Sequence, residues 1–138
     1  MKVCLDTNAY SDLRRGDTRI RDILDRAEEV LVPAAVVGEL QLGFLRGSRC
    51  AENESMLNQF LSMPCVTFQP VTRSIAERYG YVKAALWKAG KAIPENDIWI
   101  AATALETGAR LLTRDAHFDA VGGLIRIAKD GGRRPWQT

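Results

Sequence analysis

The sequence lacks several features that decide a function quickly. Among its 138 residues there are three cysteines and one histidine. Cys4, Cys50 and Cys65 are odd in number and show no CxxC spacing, which argues against a disulfide framework and against a zinc site. Because unpaired cysteines are typical of reducing compartments, we expect a cytoplasmic protein.

Long apolar runs and strong charge are also missing. No run approaches the roughly 20 apolar residues of a membrane span, and Asp6 ends the first apolar stretch too early for a secretion signal. A net charge of +2 is too small to indicate a nucleic-acid-binding protein by itself. A polyanionic substrate therefore needs a metal and local basic patches, for which the candidates are Arg14–Arg15, Arg19 and Arg21, Lys83 with Lys88 and Lys91, and Arg133–Arg134.

Motifs for other chemistries are absent as well. A Ser-His-Asp or Cys-His site would depend entirely on His117, and a lone histidine in a loop is usually solvated. The sequence contains no GxxxxGK[ST] or GxGxxG, so a nucleotide cradle is unsupported. Trp87, Trp99 and Trp136 are too far apart in the sequence to indicate a stacking platform by spacing.

What the sequence does contain is an alternation of short apolar segments with amphipathic helical segments. This alternation predicts a single α/β domain with a mostly parallel sheet of about five strands flanked by helices. The predicted strands are 2–5, 30–32, 66–68, 110–113 and 124–128. The predicted helices are 7–13, one capped by Thr18, 34–45, 51–61, one from its cap Thr72 to about residue 89, and one from Glu95 or Asn96 to Leu105, while 131–138 is predicted to be a flexible basic tail.

Four carboxylates border or interrupt segments that the pattern predicts to be buried. Buried carboxylates are rarely left unpaired, and the sequence offers no equally well-placed set of basic partners. In parallel sheets, ligands bind outside the carboxyl ends of the strands, so one cleft can collect all four side chains. The sequence therefore predicts a site for a divalent cation, formed by Asp6, Glu39, Asp97 and Asp115.

Simpler structural roles for these carboxylates remain open. Asp6 can cap the helix that follows it, and Asp97 can stabilise the first turn of its helix through the macrodipole. Asp115 can form an ion pair with Arg114, and Glu39 can lie on a solvent face. The remaining aspartates Asp12, Asp17, Asp22, Asp25 and Asp130 are predicted to be ordinary surface residues.

Two glycines flank Glu39 inside a predicted helix. Gly38 and Gly43 cost that helix roughly 1 kcal/mol each in propensity. Such small residues permit the close approach of another backbone or of a substrate.

Four segments together resemble the motifs of PIN-domain nucleases. Val3-Cys4-Leu5-Asp6-Thr7-Asn8 resembles the opening of that family, and Val37-Gly38-Glu39-Leu40, with Gly43 after it, its second motif. The segments 93–104 and 112–119 resemble the third and fourth. Their order and spacing agree over nearly the whole chain, and the subgroup that the chain resembles most is the VapC-type toxin of bacterial toxin–antitoxin pairs.

This resemblance implies a metal-dependent endoribonuclease that uses Mg²⁺ or Mn²⁺, forms a homodimer, and is inhibited by a cognate antitoxin. An arginine of the antitoxin would enter the carboxylate cluster. One departure from the family is Pro94, where many relatives carry glycine. The family's acidic quartet is matched by Asp6, Glu39, Asp97 and Asp115, of which Asp6 and Asp97 would be metal ligands. Its supporting polar residues are matched by Thr7, Asn8 and Thr113, and Asp119 is a possible auxiliary.

Alternative functions stay open at this point. The same metal chemistry cuts DNA, and a PIN-like module can also bind RNA or protein without catalysis. An aspartate-nucleophile phosphohydrolase is disfavoured because Asn8 stands where a second aspartate is needed. Apolar faces near 40–45 and 51–61 can serve antitoxin or dimer contacts, or simply the core.

Overall fold

The molecule is built around one five-stranded sheet, and all of its strands are parallel. The computed structural model describes residues 1–127, so the expected tail 131–138, Asp130 and the end of the predicted fifth strand lie outside the described residues. The predicted α/β class is confirmed. The strands are β1 Lys2–Leu5, β2 Glu29–Pro33, β3 Val66–Gln69, β4 Arg110–Leu112 and β5 Arg126–Ile127. The helices are α1 Thr7–Arg14, α2 Thr18–Arg26, α3 Ala34–Arg46, α4 Cys50–Leu61, α5 Arg73–Lys88 and α6 Glu95–Thr107, followed by a 3₁₀-helix at Ala116–Ala120.

The strand order is β3-β2-β1-β4-β5, with β1 in the centre. Strands β2 and β3 lie on one side of β1, and β4 and β5 lie on the other side. The topological switch point therefore lies between β1 and β4, where open α/β sheets bind their ligands. Leu5 is in register with Leu112, and the backbone N–H of Asp6 donates to the carbonyl of Leu112 at 3.4 Å.

The core lies on both faces of the central strands. Val3, Cys4 and Leu5 of β1 are fully buried, as expected for a parallel strand covered by helices on both sides. At the edge strand β3, by contrast, Phe68 is exposed. Within residues 1–127, no helix combines the length and the apolar character needed to cross a bilayer.

Several element boundaries follow from local side-chain chemistry. Asp6 caps α1 and Thr72 caps α5, as the sequence predicted. For α2 the prediction was wrong by one residue: the cap is Asp17, whose carboxylate accepts from the N–H groups of Arg19 and Ile20, and not Thr18. An aspartate carboxylate reaches the free N–H groups of a first turn as well as a threonine hydroxyl does, so the pattern alone did not distinguish the two.

The glycines of α3 have open space around them. Apart from its chain neighbours and the adjacent backbone of α3, a Cβ placed at Gly38 or Gly43 would meet no heavy atom of residues 1–127 within 4 Å. Within the described chain, no other backbone therefore makes the close approach that these glycines permit.

We expect opposite stability effects from alanine at two glycines. Gly108 ends α6 in the left-handed region at φ 71°, where an L-residue costs roughly 1–2 kcal/mol. Gly43 lies inside α3 with space for a Cβ, where alanine gains roughly 0.5–1 kcal/mol. Urea unfolding should therefore show a lower free energy of unfolding for Gly108→Ala and a higher one for Gly43→Ala. A shift of the same sign in both variants would contradict this account of the two backbones.

Candidate metal centre

The four predicted carboxylates line one cavity at the carboxyl edge of the sheet. Asp6 follows β1, Asp115 follows β4, Asp97 lies in the first turn of α6, and Glu39 lies in the second turn of α3. The cavity has a volume of about 250 Å³. We call it the acidic cavity, and its lining residues are Asp6, Thr7, Asn8, Glu39, Pro94, Asn96, Asp97, Asp115 and His117.

Asp6 is the most deeply buried of the four, with 3% of its surface exposed. Its Oδ1 accepts from the backbone N–H of Ala9 at 2.7 Å, which is the helix cap. Its Oδ2 accepts from the Thr113 hydroxyl at 2.5 Å, and that hydroxyl accepts from the backbone N–H of Asp115 at 3.0 Å. A single hydroxyl thus connects the carboxylate after β1 to the loop after β4.

Burial in this position has an electrostatic consequence. The pKa of Asp6 is raised from its ordinary value near 3.8 to about 6, chiefly by desolvation, although the bonds from Thr113 and Ala9 oppose the shift. The nearby carboxylates of Asp115 and Asp97 contribute to the same rise. The pKa of Asp97 is also raised, chiefly by desolvation, while its bond to His117 opposes the rise. The site therefore holds negative charge at a cost that a bound cation would relieve.

Glu39 is held in place by a hydrogen bond from Thr7 of α1. The Thr7 hydroxyl donates to Glu39 Oε1 at 2.9 Å and so connects α1 with α3. Asn8, the next residue of α1, lines the cavity and is exposed. Thr7 and Asn8 therefore line the acidic cavity, and Thr113 contacts it through Asp6. Their supporting role stays a prediction.

His117 contacts two of the carboxylates, which the sequence pattern did not indicate. Its Nδ1 lies 3.0 Å from Asp97 Oδ2 and 3.2 Å from Asp115 Oδ1. Its backbone N–H donates to the same Asp115 oxygen at 2.9 Å. The sequence left the role of His117 open, since a lone loop histidine is usually solvated. The 3₁₀ turn brings its ring to both carboxylates although the side chain stays half exposed. The Asp-x-His spacing within a turn was the available signal.

Arg114 forms its ion pair with Asp12 and not with Asp115. Arg114 Nε lies 2.9 Å from Asp12 Oδ2, and Arg15 lies 3.4 Å from the other oxygen of Asp12. Asp12 is buried, so its prediction as an ordinary surface residue was wrong. The pairing turns Arg114 away from the cavity that Asp115 lines.

Asp119 lies elsewhere. Its carboxylate contacts Arg126 of β5, and Asp119 is not among the residues that line the acidic cavity. The structure does not bring this possible auxiliary to the other four carboxylates.

The donor set of the cavity fits a divalent cation. Among residues 1–127, no lysine or arginine lies within salt-bridge distance of the four carboxylates, and only His117 approaches two of them. Asp97, Asp115 and His117 each offer a ligand atom, and these atoms lie within 4.8 Å of one another. Carboxylate oxygens are the ligands that Mg²⁺ and Mn²⁺ prefer.

Comparisons with known proteins agree with this geometry. The family model described as PIN domain matches residues 3–124. Ribonuclease VapC2 of Haemophilus influenzae is 33% identical over 118 residues, which cover 83% of this chain and 87% of that protein. The crystal structure of VapBC2 from Rickettsia felis bound to a promoter DNA fragment is similar with a TM-score of 0.79 and 25% identity, over 93% of this chain and 98% of that one. A member of the VapBC family of toxin-antitoxin systems from Mycobacterium tuberculosis shares the fold, with a TM-score of 0.67 and 24% identity over 91% and 98% of the two chains.

The raised pKa of Asp6 predicts that stability falls between about pH 4 and pH 6. Over this range the unfolded chain releases the Asp6 proton first, because its pKa stays near 3.8 while the folded value is about 6. The stabilisation is fully present at low pH, and about 3 kcal/mol is lost as the pH rises through the folded pKa. Urea unfolding in EDTA from pH 4 to 8 should show this decline in the parent and a smaller one in Asp6→Asn. Parallel curves for the two proteins would show that Asp6 is not the group responsible.

Proposed function

The chain belongs to the PIN domain family, and from this premise we propose that it is a metal-dependent endoribonuclease acting as the toxin of a toxin–antitoxin pair. One observation carries the proposal. Four carboxylates line a single cavity at the switch point of the sheet, and no lysine or arginine among residues 1–127 pairs with them. Ribonuclease VapC2, at 33% identity over most of both chains, supports nuclease chemistry at this site.

Asp6 and Asp97 are proposed as the ligands of Mg²⁺ or Mn²⁺, with Asp115 and Glu39 completing the site directly or through water. When bound, the cation supplies polarisation of the scissile phosphate and a lowered pKa for the attacking water. The protein holds the ligands in place beforehand. The Thr113 hydroxyl and the Ala9 N–H favour the ionised form of Asp6, and Thr7 fixes Glu39.

RNA is the proposed substrate, and a basic and aromatic surface beside the cavity supports it. Lys83 Nζ lies 2.8 and 3.0 Å from the two carboxylate oxygens of Glu95, two residues before Asp97. The same ammonium lies 5.7 Å from the ring centroids of both Tyr79 and Trp87. Lys83 therefore connects the first turn of α6, beside the acidic cavity, to the indole of Trp87.

The Trp87 side chain is available for a base. It is 72% exposed, whereas the Trp99 ring stacks on Tyr79 at 4.0 Å between centroids with an interplanar angle of 13°. Lys88 is exposed. Among residues 1–127 it has no ion-pair partner. An exposed aromatic ring next to lysines is what single-stranded nucleic acid binds by stacking and backbone attraction, although the spacing of the tryptophans did not indicate it.

An antitoxin is the proposed protein partner, and α3 offers it an apolar surface. Leu42 and Leu45 are 51% and 65% exposed and lie on the helix that carries Glu39. A partner bound along α3 can therefore extend a cationic side chain toward the unpaired carboxylates, which satisfies the same charge as the metal. We also propose a homodimer within the toxin–antitoxin complex, and a cytoplasmic location, which the three free cysteines support.

Asp97→Asn tests the catalytic assignment. The change removes the charge of a proposed ligand and keeps its shape, so we expect RNA cleavage in Mg²⁺ to fall by more than about a hundredfold, beyond the cost of losing an outer-shell partner. Cleavage of a labelled RNA and of a DNA strand with the same sequence measures both the activity and the choice of polymer. Asp22→Asn, an exposed aspartate of α2, is the matched control and should cut at the parent rate. Cleavage by Asp97→Asn at the parent rate would refute the assignment, and preferential DNA cleavage would refute RNA as the substrate.

Trp87→Ala tests the substrate surface. Loss of one stacked base costs about 1–3 kcal/mol, so the Kd for single-stranded RNA should rise roughly 5- to 150-fold, and Trp87→Phe should recover much of it. Fluorescence anisotropy in EDTA measures binding without cleavage. Tyr81→Ala is a close control, because Tyr81 lies on the same helix and is 71% exposed, but its ring has no lysine over it among the described residues. Equal losses in Trp87→Ala and Tyr81→Ala would mean that Trp87 has no specific role.

A further inference from the structure

We propose that His117 is a nitrogen ligand of the bound cation and gives the acidic cavity a preference for Mn²⁺ and Co²⁺ over Mg²⁺. This inference rests on the proposed function, since it concerns the cation of the same site. It assigns to His117 a role beyond that of the acidic quartet.

The positions of the ligand atoms carry the inference. His117 Nδ1 lies 3.0 Å from Asp97 Oδ2 and 3.2 Å from Asp115 Oδ1, and one oxygen or nitrogen from each of the three side chains falls within a 4.8 Å group. A side chain that merely balances charge beside a metal site can do so from a distance. Here the ring nitrogen lies directly among the carboxylate oxygens that would surround the ion.

The local backbone holds this arrangement. Asp115 caps the 3₁₀-helix by accepting from the His117 N–H at 2.9 Å, so the turn presents a carboxylate and an imidazole on the same side. Asp115 is itself tied to the strand edge through the Thr113 hydroxyl. Two proposed ligands therefore come from one short, internally bonded turn, which lowers the entropy cost of assembling them around an ion.

The imidazole can offer one nitrogen to a cation and the other to water. Nδ1 faces the Asp97 and Asp115 oxygens, and the side chain is 51% exposed, so Nε2 can reach solvent. In the neutral tautomer with its hydrogen on Nε2, the Nδ1 lone pair faces the position between the carboxylates, which is the form in which histidine binds metals.

A mixed oxygen and nitrogen donor set changes which ion is preferred. Mg²⁺ favours oxygen ligands and keeps several waters, so an imidazole adds little to its binding. The affinity of sites with nitrogen donors rises from Mn²⁺ to Co²⁺ along the first-row series. A cavity of carboxylates alone would discriminate much less between these ions and Mg²⁺.

The composition of the chain makes the test specific. His117 is the only histidine among 138 residues, so in untagged protein any imidazole bound to Mn²⁺ must be its side chain. Pulsed electron paramagnetic resonance of the Mn²⁺ complex should show hyperfine coupling to a directly bound nitrogen. Labelling the protein with nitrogen-15 histidine should change that coupling in the manner expected for the isotope, without any mutation.

Calorimetric titration gives the second readout. His117→Gln keeps a polar side chain of similar length but removes the imidazole, so the Mn²⁺-to-Mg²⁺ and Co²⁺-to-Mg²⁺ affinity ratios should fall about tenfold or more, with Mg²⁺ affinity nearly unchanged. Thermal unfolding in EDTA should match the parent, because the ring is half exposed. Mn²⁺ binding without nitrogen coupling, or unchanged affinity ratios, would overturn the role of His117 and leave the carboxylate site standing. No binding of any of the three cations would overturn both this inference and the proposed function.

Discussion

The Thr113 hydroxyl donates a hydrogen bond to the buried carboxylate of Asp6, 2.5 Å away. This contact exists because β1 and β4 are neighbours in register, so that the residues after Leu5 and Leu112 leave the sheet side by side. The same hydroxyl accepts from the N–H of Asp115. The position of the loop after β4, and with it the position of Asp115, therefore depends on the hydrogen bond that Thr113 donates to Asp6.

Around this contact the fold gathers four carboxylates that no lysine or arginine among residues 1–127 pairs with. Arg114 pairs with the buried Asp12, and Lys83 pairs with Glu95. The pKa of Asp6 is raised by burial and by its acidic neighbours, so the ionised cavity is strained in the absence of a counter-charge. In the proposed function, a divalent cation or a cationic side chain of the antitoxin would supply that counter-charge, so catalysis and inhibition would depend on the same carboxylates.

Most of the fold could be predicted because its signals are local. The apolar run of β1 and the Thr72 cap each depend on a few consecutive residues, and both are as predicted. The failures occurred where local chemistry offers equivalent choices. Asp17 and Thr18 are both good helix caps, so the pattern did not separate them. The burial of Asp12 depends on its ion pair with Arg114, which is 102 residues away in the sequence, and the residues next to Asp12 do not indicate it.

The sequence by itself determined the element types, the parallel class and the four carboxylates that border or interrupt apolar segments, because hydrophobic periodicity and charges within apolar runs can be recognised along the chain. Only the tertiary structure decided which groups surround each carboxylate. His117 became a neighbour of Asp97, and Lys83 a neighbour of Glu95, because helix packing and the 3₁₀ turn bring these side chains together. Such contacts join residues that are distant in sequence or folded back by a turn, and no periodicity encodes them.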